Sequence, residues 1–264
     1  MNPQSCDRRF PAYYGVVSPP ASFDYSAQQL LETSASRIGV IQQMPTYSLA
    51  SYEDSVSDSE GRLELLRRGI AGLKAAGAEI VGQFGGYWSL SYSPDSACTR
   101  ALMKSLSKDF GVTVILAWIA IEDALHQISA KRIAVTTGYY RPTWTVATVA
   151  YLSSAGFDVL YAGDLIDQGI LPNHQAKLDI EAATNWDYPD EIAFRSCIES
   201  WKRARNCDAV LQCGAGMRTL DVAADVEQGT GKPFVSTDTA FIWAMLKAGG
   251  IKAKPGNGRL LSTL

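Results

Sequence analysis

The chain has 264 residues, of which 47% are hydrophobic and 19% are charged, and its formal net charge at pH 7 is −3. This composition is typical of a globular protein with one large or two medium domains, and the charge excludes an electrostatic attraction to nucleic acid or to an anionic membrane. The longest apolar run, residues 112–121, is about half of the ~20 residues that a membrane-spanning helix needs.

Short apolar runs alternate with stretches of helical periodicity along the chain. The predicted strands are 13–17, 37–42, 79–84, 113–117, 132–137, 159–162, 209–212 and 233–236. The predicted helices are 62–76, 96–110, 143–155, 191–205 and 240–248. Alternating strands and helices indicate an α/β fold with parallel sheets.

Two pairs of segments resemble each other and indicate an internal repeat. AGAEIVGQFGG and RNCDAVLQCGAG are both buried strands that end in glycine-containing turns, and YYGVVSPP is similar in this way to RIAVTTGYY. We therefore predict two similar α/β halves whose parallel sheets face each other across a central cleft. The first half is expected to comprise residues 1–125 and 240–264, and the second half residues 126–239.

Ligands of open parallel sheets bind at the carboxyl ends of the strands. Four such ends, at 18–19, 84–86, 138–139 and 213–214, are predicted to line the cleft. Cys213 follows a strand and precedes a stretch of helical spacing that runs from Arg218. A helix N-terminus would lower the pKa of this thiol, whereas an apolar surrounding would raise it. The thiol could be a proton donor, a nucleophile, a redox group or an inert core residue.

The turn at residues 84–93, FGGYWSLSYS, offers glycines for close backbone approach and hydroxyl groups for hydrogen bonds. Its alternative interpretation is a plain turn with aromatic packing. GAGMRT matches a dinucleotide-binding motif only in part, and backbone N–H groups that bind a carboxylate explain it better. Tyr139 or Tyr140 could donate to an oxyanion, whereas Arg218 is expected to pair with an acidic residue.

The remaining thiols and imidazoles give no sign of a metal centre. The five cysteines, Cys6, Cys98, Cys197, Cys207 and Cys213, form no CxxC pair, and the chain has two histidines. We therefore expect reduced thiols in a cytoplasmic protein that uses no metal and no cofactor. Residues 1–15 lack the apolar segment of a secretory signal.

Four motifs together resemble the aspartate/glutamate racemase superfamily, and most closely its arylmalonate decarboxylases and maleate cis–trans isomerases. They are GVVSPPA, KRIAVTTGYY, VLQCGAGMRTLD and the C-terminal PFVSTDTAFIWAMLKAGGIKAKPGNGRLL. The resemblance covers nearly the whole chain and implies a small carboxylate substrate. It implies that Cys213 is catalytic, and that the substrate-binding residues are Pro19, Gly85, Gly86, Tyr87, Ser89, Tyr139 and Gly214.

Racemases of this superfamily use two cysteines, and the first of them aligns here with Gly85 or Tyr87, so that a second thiol is missing. The resemblance therefore implies decarboxylation of a disubstituted malonate-like diacid, through an enediolate that Cys213 protonates. The segment CGAGMRT is one residue longer than in the decarboxylases and favours the isomerases. Two alternatives stay open: isomerisation of a small dicarboxylate, and carboxylate binding without catalysis.

Overall fold

The computed structural model describes residues 9–19, 24–45, 59–90 and 95–264. The strands in these ranges form two four-stranded parallel sheets. The first sheet consists of β1 (Tyr13–Val17), β2 (Gly39–Gln43), β3 (Ile80–Gln83) and β4 (Thr113–Leu116), in the order β2-β1-β3-β4. The second consists of β5 (Arg132–Gly138), β6 (Asp158–Asp164), β7 (Ala209–Gln212) and β8 (Phe234–Ser236), in the order β6-β5-β7-β8.

The two sheets have the same topology, with each strand of the first sheet equivalent to the strand four places later in the chain. The register agrees as well, because Val17 pairs with Gln83 in the first sheet and Thr136 pairs with Gln212 in the second. The predicted pair of similar α/β halves with parallel sheets facing a central cleft is confirmed. We call the halves built on β1–β4 and β5–β8 the first and second half.

Helices cover the faces of both sheets. In the described residues they are α1 (Ser26–Thr33), α2 (Ser59–Ala75), α3 (Gly86–Leu90), α4 (Ser96–Phe110), α5 (Ala117–Gln127), α6 (Pro142–Ser154), α7 (His174–Thr184), α8 (Asp190–Arg203), α9 (Ala223–Thr230), α10 (Thr237–Ala248) and α11 (Gly258–Leu261). The sequence pattern missed α1, α3, α5, α7 and α11, and it placed Ala117 in a strand. Residues 117–121 at the start of α5 are all buried, so this segment lacks the polar face that marks an amphipathic helix.

Helix α10 follows the last strand of the second half but packs against the first half. It contacts α5, α1, β3 and β4, and the Phe241 ring and the Met245 sulfur lie where a Cβ of residue 82 would be. Glycine at position 82 therefore lets α10 approach β3 closely. Beyond α10, Lys254 N–H donates to Thr33 O at 2.7 Å, whereas α11 contacts α9 and β8. The domain boundaries at 125/126 and 239/240 stay a prediction.

The start of α10 is fixed at the carboxyl end of the second sheet. The Ser236 hydroxyl accepts from Thr239 N–H at 3.0 Å, and the Thr239 hydroxyl accepts from Ser236 N–H at 2.9 Å. This reciprocal cap satisfies donors that a helix N-terminus otherwise leaves unpaired. It holds Thr237, the first residue of the helix, at the level of the strand ends.

None of the helices in the described ranges is long and apolar enough to cross a membrane.

Candidate active site

The strands β3 and β7 end in turns of the same construction. Phe84 N–H donates to Val17 O at 3.0 Å, and Cys213 N–H donates to Thr136 O at 2.9 Å, which is the equivalent bond. Each turn then continues with a glycine of positive φ, +98° at Gly85 and +105° at Gly214. The residue equivalent to Cys213 in the first half is therefore Phe84.

This internal equivalence points to Phe84, whereas the resemblance aligned the missing first thiol with Gly85 or Tyr87. Phe84 is 2% exposed, and its ring packs against Phe241 with the centroids 5.1 Å apart. A phenyl side chain neither accepts nor donates a proton. The position opposite Cys213 thus carries no second acid or base, which agrees with the sequence-based argument against a two-thiol mechanism.

A small cavity lies between the carboxyl ends of the two sheets. It is lined by Pro19, Gly85, Gly86, Tyr87, Tyr139, Tyr140, Trp186, Ala215 and Gly216. The first five of these lining residues, Pro19 to Tyr139, were predicted to bind substrate, so the structure brings five predicted residues together at one cavity. The other four were not assigned to the site, although Tyr140 was a candidate oxyanion donor. Ala215 and Gly216 belong to the GAGMRT segment, whereas Trp186 belongs to no recognisable motif.

Gly214 lies against the ring of Tyr139 rather than on the cavity wall. A Cβ at position 214 would be 2.8 Å from Tyr139 Cε1, so that only glycine fits beside this ring. Gly214 N–H donates to Thr237 Oγ1 at 3.1 Å, and Gly216 N–H donates to the Tyr139 hydroxyl at 3.0 Å. The loop after β7 is thus wrapped around the Tyr139 side chain.

Cys213 is completely buried and is not among the residues that line the cavity. Burial raises the pKa of its thiol, and the neighbouring Cys197 thiol raises it further. The expected opposing effect of a helix N-terminus is absent, because α9 begins only at Ala223. This thiol is therefore neutral near pH 7 and has a proton to give.

Two stacked pairs of aromatic rings each contribute one ring to the cavity wall. Tyr139 stacks on Tyr188 with an interplanar angle of 13° and a centroid distance of 5.4 Å. Tyr87 stacks on Trp144 with the centroids 4.6 Å apart. Because Tyr87 lies in α3 of the first half and the other three rings belong to the second half, the two stacks join both halves around the cavity.

A buried ion pair supports the backbone of Tyr139. Arg141 Nη1 and Nη2 donate to Glu181 Oε1 and Oε2 at 2.8 and 3.0 Å, and Nη1 also donates to Tyr139 O at 2.9 Å. Bidentate pairing of this kind fixes the guanidinium plane. Sequence reasoning missed both residues, because Arg141 and Glu181 are 40 positions apart and neither follows a recognisable spacing.

Arg218 pairs with an acidic side chain, as predicted. It donates to Asp221 Oδ2 at 2.7 Å, and its guanidinium also lies over the Tyr25 ring, 4.6 Å from the centroid. The Tyr25 hydroxyl donates to Asp187 Oδ2 at 2.8 Å. These contacts connect the first half to two loops of the second half.

Several predicted positions lie outside the described residues. The Ser89 backbone belongs to α3, but its side chain is not described. Residues 91–93 of the predicted turn and Cys6 lie entirely outside the described residues. The role of Ser89 stays a prediction. Among the residues that the structure does describe, no group of three or more His, Cys, Asp or Glu side chains is placed to hold a metal ion.

Comparison with known proteins gives the family of the chain. The model of the arylmalonate decarboxylase family matches residues 60–261. The chain belongs to the arylmalonate decarboxylase family. The curated arylmalonate decarboxylase of Bordetella bronchiseptica is 27% identical over 193 residues, which are 71% of this chain and 73% of that protein.

Similarity extends to an enzyme of a different reaction class. The maleate isomerase of Pseudomonas putida is 32% identical over 174 residues, which are 62% of this chain and 60% of that protein. The fold agrees with that of unliganded arylmalonate decarboxylase, with a TM-score of 0.74 at 22% identity over 96% of this chain and all of the other. Family membership thus leaves decarboxylation and isomerisation both open.

Proposed function

We propose that this member of the arylmalonate decarboxylase family is a cofactor-independent decarboxylase of a disubstituted malonate-like diacid. The observation that carries the proposal is the unequal pair at the two strand ends, a neutral thiol at Cys213 and a phenyl ring at Phe84. One proton donor without an opposing base suits a reaction that adds one proton to carbon. It does not suit a racemase, which must also remove one.

The chemistry follows from the surroundings of the cavity. One carboxylate is held among aromatic rings, where loss of its charge as CO2 is favourable. The electron pair of the broken C–C bond passes to the remaining carboxylate, which becomes an enediolate. Backbone N–H groups and the Tyr139 hydroxyl stabilise the added charge. Cys213 then transfers its proton to the α-carbon, and the resulting thiolate takes a proton from solvent.

This step requires access of the Cys213 sulfur to the cavity. The sulfur is buried next to the loop Gly214–Gly216, of which Ala215 and Gly216 line the cavity. We propose that a bound substrate displaces Ala215 and Gly216 from the Tyr139 ring and breaks the hydrogen bond from Gly216 N–H to the Tyr139 hydroxyl. Gln212 meanwhile keeps the carbonyl groups of Cys213 and Gly214 in place.

The second candidate is a cis–trans isomerase in which Cys213 adds to a carbon–carbon double bond as a thiolate. It is favoured by the 32% identity to the maleate isomerase and by the length of CGAGMRT. It is opposed by the burial that raises the pKa of the Cys213 thiol, because the neutral form is the weaker nucleophile.

Two compounds distinguish these reactions. With 2-methyl-2-phenylmalonate, the proposed decarboxylase releases CO2 and consumes a proton, and the Cys213→Ser variant does so far more slowly. With maleate, an isomerase forms fumarate without change in pH. Thermal stabilisation by both compounds without either reaction would identify a carboxylate-binding protein instead.

A further inference from the structure

Two buried glutamines occupy equivalent positions at the ends of β3 and β7. Gln83 Nε2 donates to Phe84 O and, at 3.0 Å, to Gly85 O. Gln212 Nε2 donates to Cys213 O and, at 3.4 Å, to Gly214 O. Both side chains are 0% exposed. Each half thus uses one amide to hold the carbonyl groups of two successive peptides.

Holding a carbonyl group also sets the direction of the N–H group of the same peptide. In a trans peptide the N–H bond points away from the C=O bond. Because Gln212 binds Cys213 O, the Gly214 N–H points to the opposite side, where it donates to Thr237 Oγ1 at 3.1 Å. The next N–H group, that of Ala215, has no acceptor among the described residues, and Ala215 lines the cavity.

The first half has no equivalent of the Thr237 hydroxyl, which accepts from Gly214 N–H in the second half. Gln83 pairs with Leu116 and Gln212 with Ser236, so Ala117 is the residue equivalent to Thr237. Since alanine has no hydroxyl group, the N–H group of Gly85 lacks the partner that Gly214 has. No other described residue accepts from it, and Gly85 also lines the cavity.

We propose that Gln83 and Gln212 are positioning residues that direct the Gly85 and Ala215 N–H groups toward a carboxylate of the bound substrate, one donor from each half. An N–H group at a cavity wall without a protein acceptor is satisfied when a ligand accepts from it. A carboxylate is the acceptor that gains most from such donors. This inference rests on the carboxylate-binding part of the proposed function.

The side-chain amide of each glutamine is required because it donates to two backbone carbonyl oxygens. Without a donor at position 83 or 212, both carbonyl oxygens lose their partner and the peptides are free to rotate. A rotated peptide turns a carbonyl oxygen, instead of an N–H group, toward the substrate carboxylate. Loss of the amide should therefore weaken carboxylate binding beyond any loss of stability.

The test uses Gln83→Met and Gln212→Met, which keep the side-chain length and remove the amide. The matched control is Gln168→Met, because Gln168 is also buried and donates to Ser196 O at 3.1 Å and Ser200 Oγ at 2.9 Å, away from the cavity. The probe is phenylacetate, which cannot lose CO2 under the conditions of the assay, with uncharged phenylacetamide for comparison. Calorimetry gives Kd, and thermal unfolding gives Tm.

We expect the Kd of phenylacetate to rise about 10-fold in each site variant, with a smaller rise for phenylacetamide, and to stay at the parent value in Gln168→Met. A further variant, Gln212→Glu, can donate only while its carboxyl group is protonated. The ratio of the phenylacetate affinity of Gln212→Glu to that of the parent should therefore fall as pH rises. The same ratio for Gln212→Met should not change with pH.

Unchanged Kd values in both site variants, with Tm lowered as in Gln168→Met, would show that the glutamines are only structural. The two site variants test the idea independently, so that one remains decisive if the other does not fold. A folded parent that fails to bind phenylacetate would also overturn the inference. Binding of phenylacetate without CO2 release from any diacid would instead overturn only the decarboxylase proposal.

Discussion

Replacement of one sulfur atom tests the role of Cys213. If the thiol is the proton donor, Cys213→Ser leaves a far weaker acid, and turnover should fall by about 10²–10⁴-fold, the usual contribution of general-acid catalysis. Cys207→Ser is the matched control, because this thiol is equally buried and its pKa is also raised by burial. The control should lose about 1–3 kcal/mol of stability and keep its turnover. The measurements are steady-state kinetics and Tm.

Parent-level turnover in Cys213→Ser, together with a Tm as low as that of Cys207→Ser, would make Cys213 a core residue and leave the mechanism without its acid.

Position 84 is the place to introduce a second thiol, because Phe84 is equivalent to Cys213. A cysteine at position 85, the position that alignment suggests, needs a φ near +98° and a Cβ that would lie 2.7 Å from Pro19 Cγ. Phe84→Cys places a thiol at the position equivalent to Cys213 without this strain, although loss of the buried ring should cost about 3–5 kcal/mol. We expect this variant to exchange the α-hydrogen of a chiral monoacid product with D2O, which the parent does not do.

The double variant Phe84→Cys with Cys213→Ser is the control. It again has a single thiol, so it should lose the exchange. Exchange that persists in the double variant would show that the new thiol does not work together with Cys213.

The Asp238 side chain connects helix α10 to the loop after β7 and to helix α1. It lies in the first turn of α10, and its Oδ2 accepts from Thr219 N–H at 2.9 Å, in the loop after β7, and from Gln29 Nε2 of α1 at 3.4 Å. Burial raises its pKa from 3.8 to about 7, against the lowering effect of the bonds to Thr219 and Gln29. The fold therefore binds the proton of this carboxyl group more tightly than the unfolded chain does.

This difference gives the sign of a pH effect on stability. The contribution of protonated Asp238 is fully present below pH 3.8 and is lost as pH rises through about 7. Between these values the parent should lose stability relative to Asp238→Asn, whose amide does not titrate. Urea unfolding of both proteins at several pH values measures this difference. Parallel curves for the two proteins would contradict the prediction.

Sequence patterns predicted the strands of both sheets, but of the helices in the described ranges they missed α1, α3, α5, α7 and α11. Strands β3 and β7 were found because an apolar run stops at a glycine-containing turn, and the same turns marked Gly85 and Cys213. Helix α5 was missed because its first residues are apolar on every side. The start of α9 was placed too early because Leu220 and Val222 continue the apolar spacing although the backbone there is a turn. Trp186 could not be predicted, since only tertiary packing brings it to the cavity.

The proposed decarboxylation needs no metal ion. The remaining carboxylate itself accepts the electron pair that decarboxylation releases. Turnover should therefore survive exhaustive dialysis against EDTA. Restoration of lost turnover by a divalent cation after dialysis would contradict this expectation, and a known zinc hydrolase treated in parallel controls for the dialysis.

The packing of α10 on the first half has a consequence for the order in which the protein can fold during synthesis. The ribosome completes β1–β4 more than a hundred residues before it adds residues 237–248. Until then the surface that Phe241 and Met245 cover in the finished protein is open to water or to other nascent chains. A chain that ends at residue 236 should therefore bind a hydrophobic dye and aggregate, and a synthetic peptide of residues 237–264 should reduce both effects.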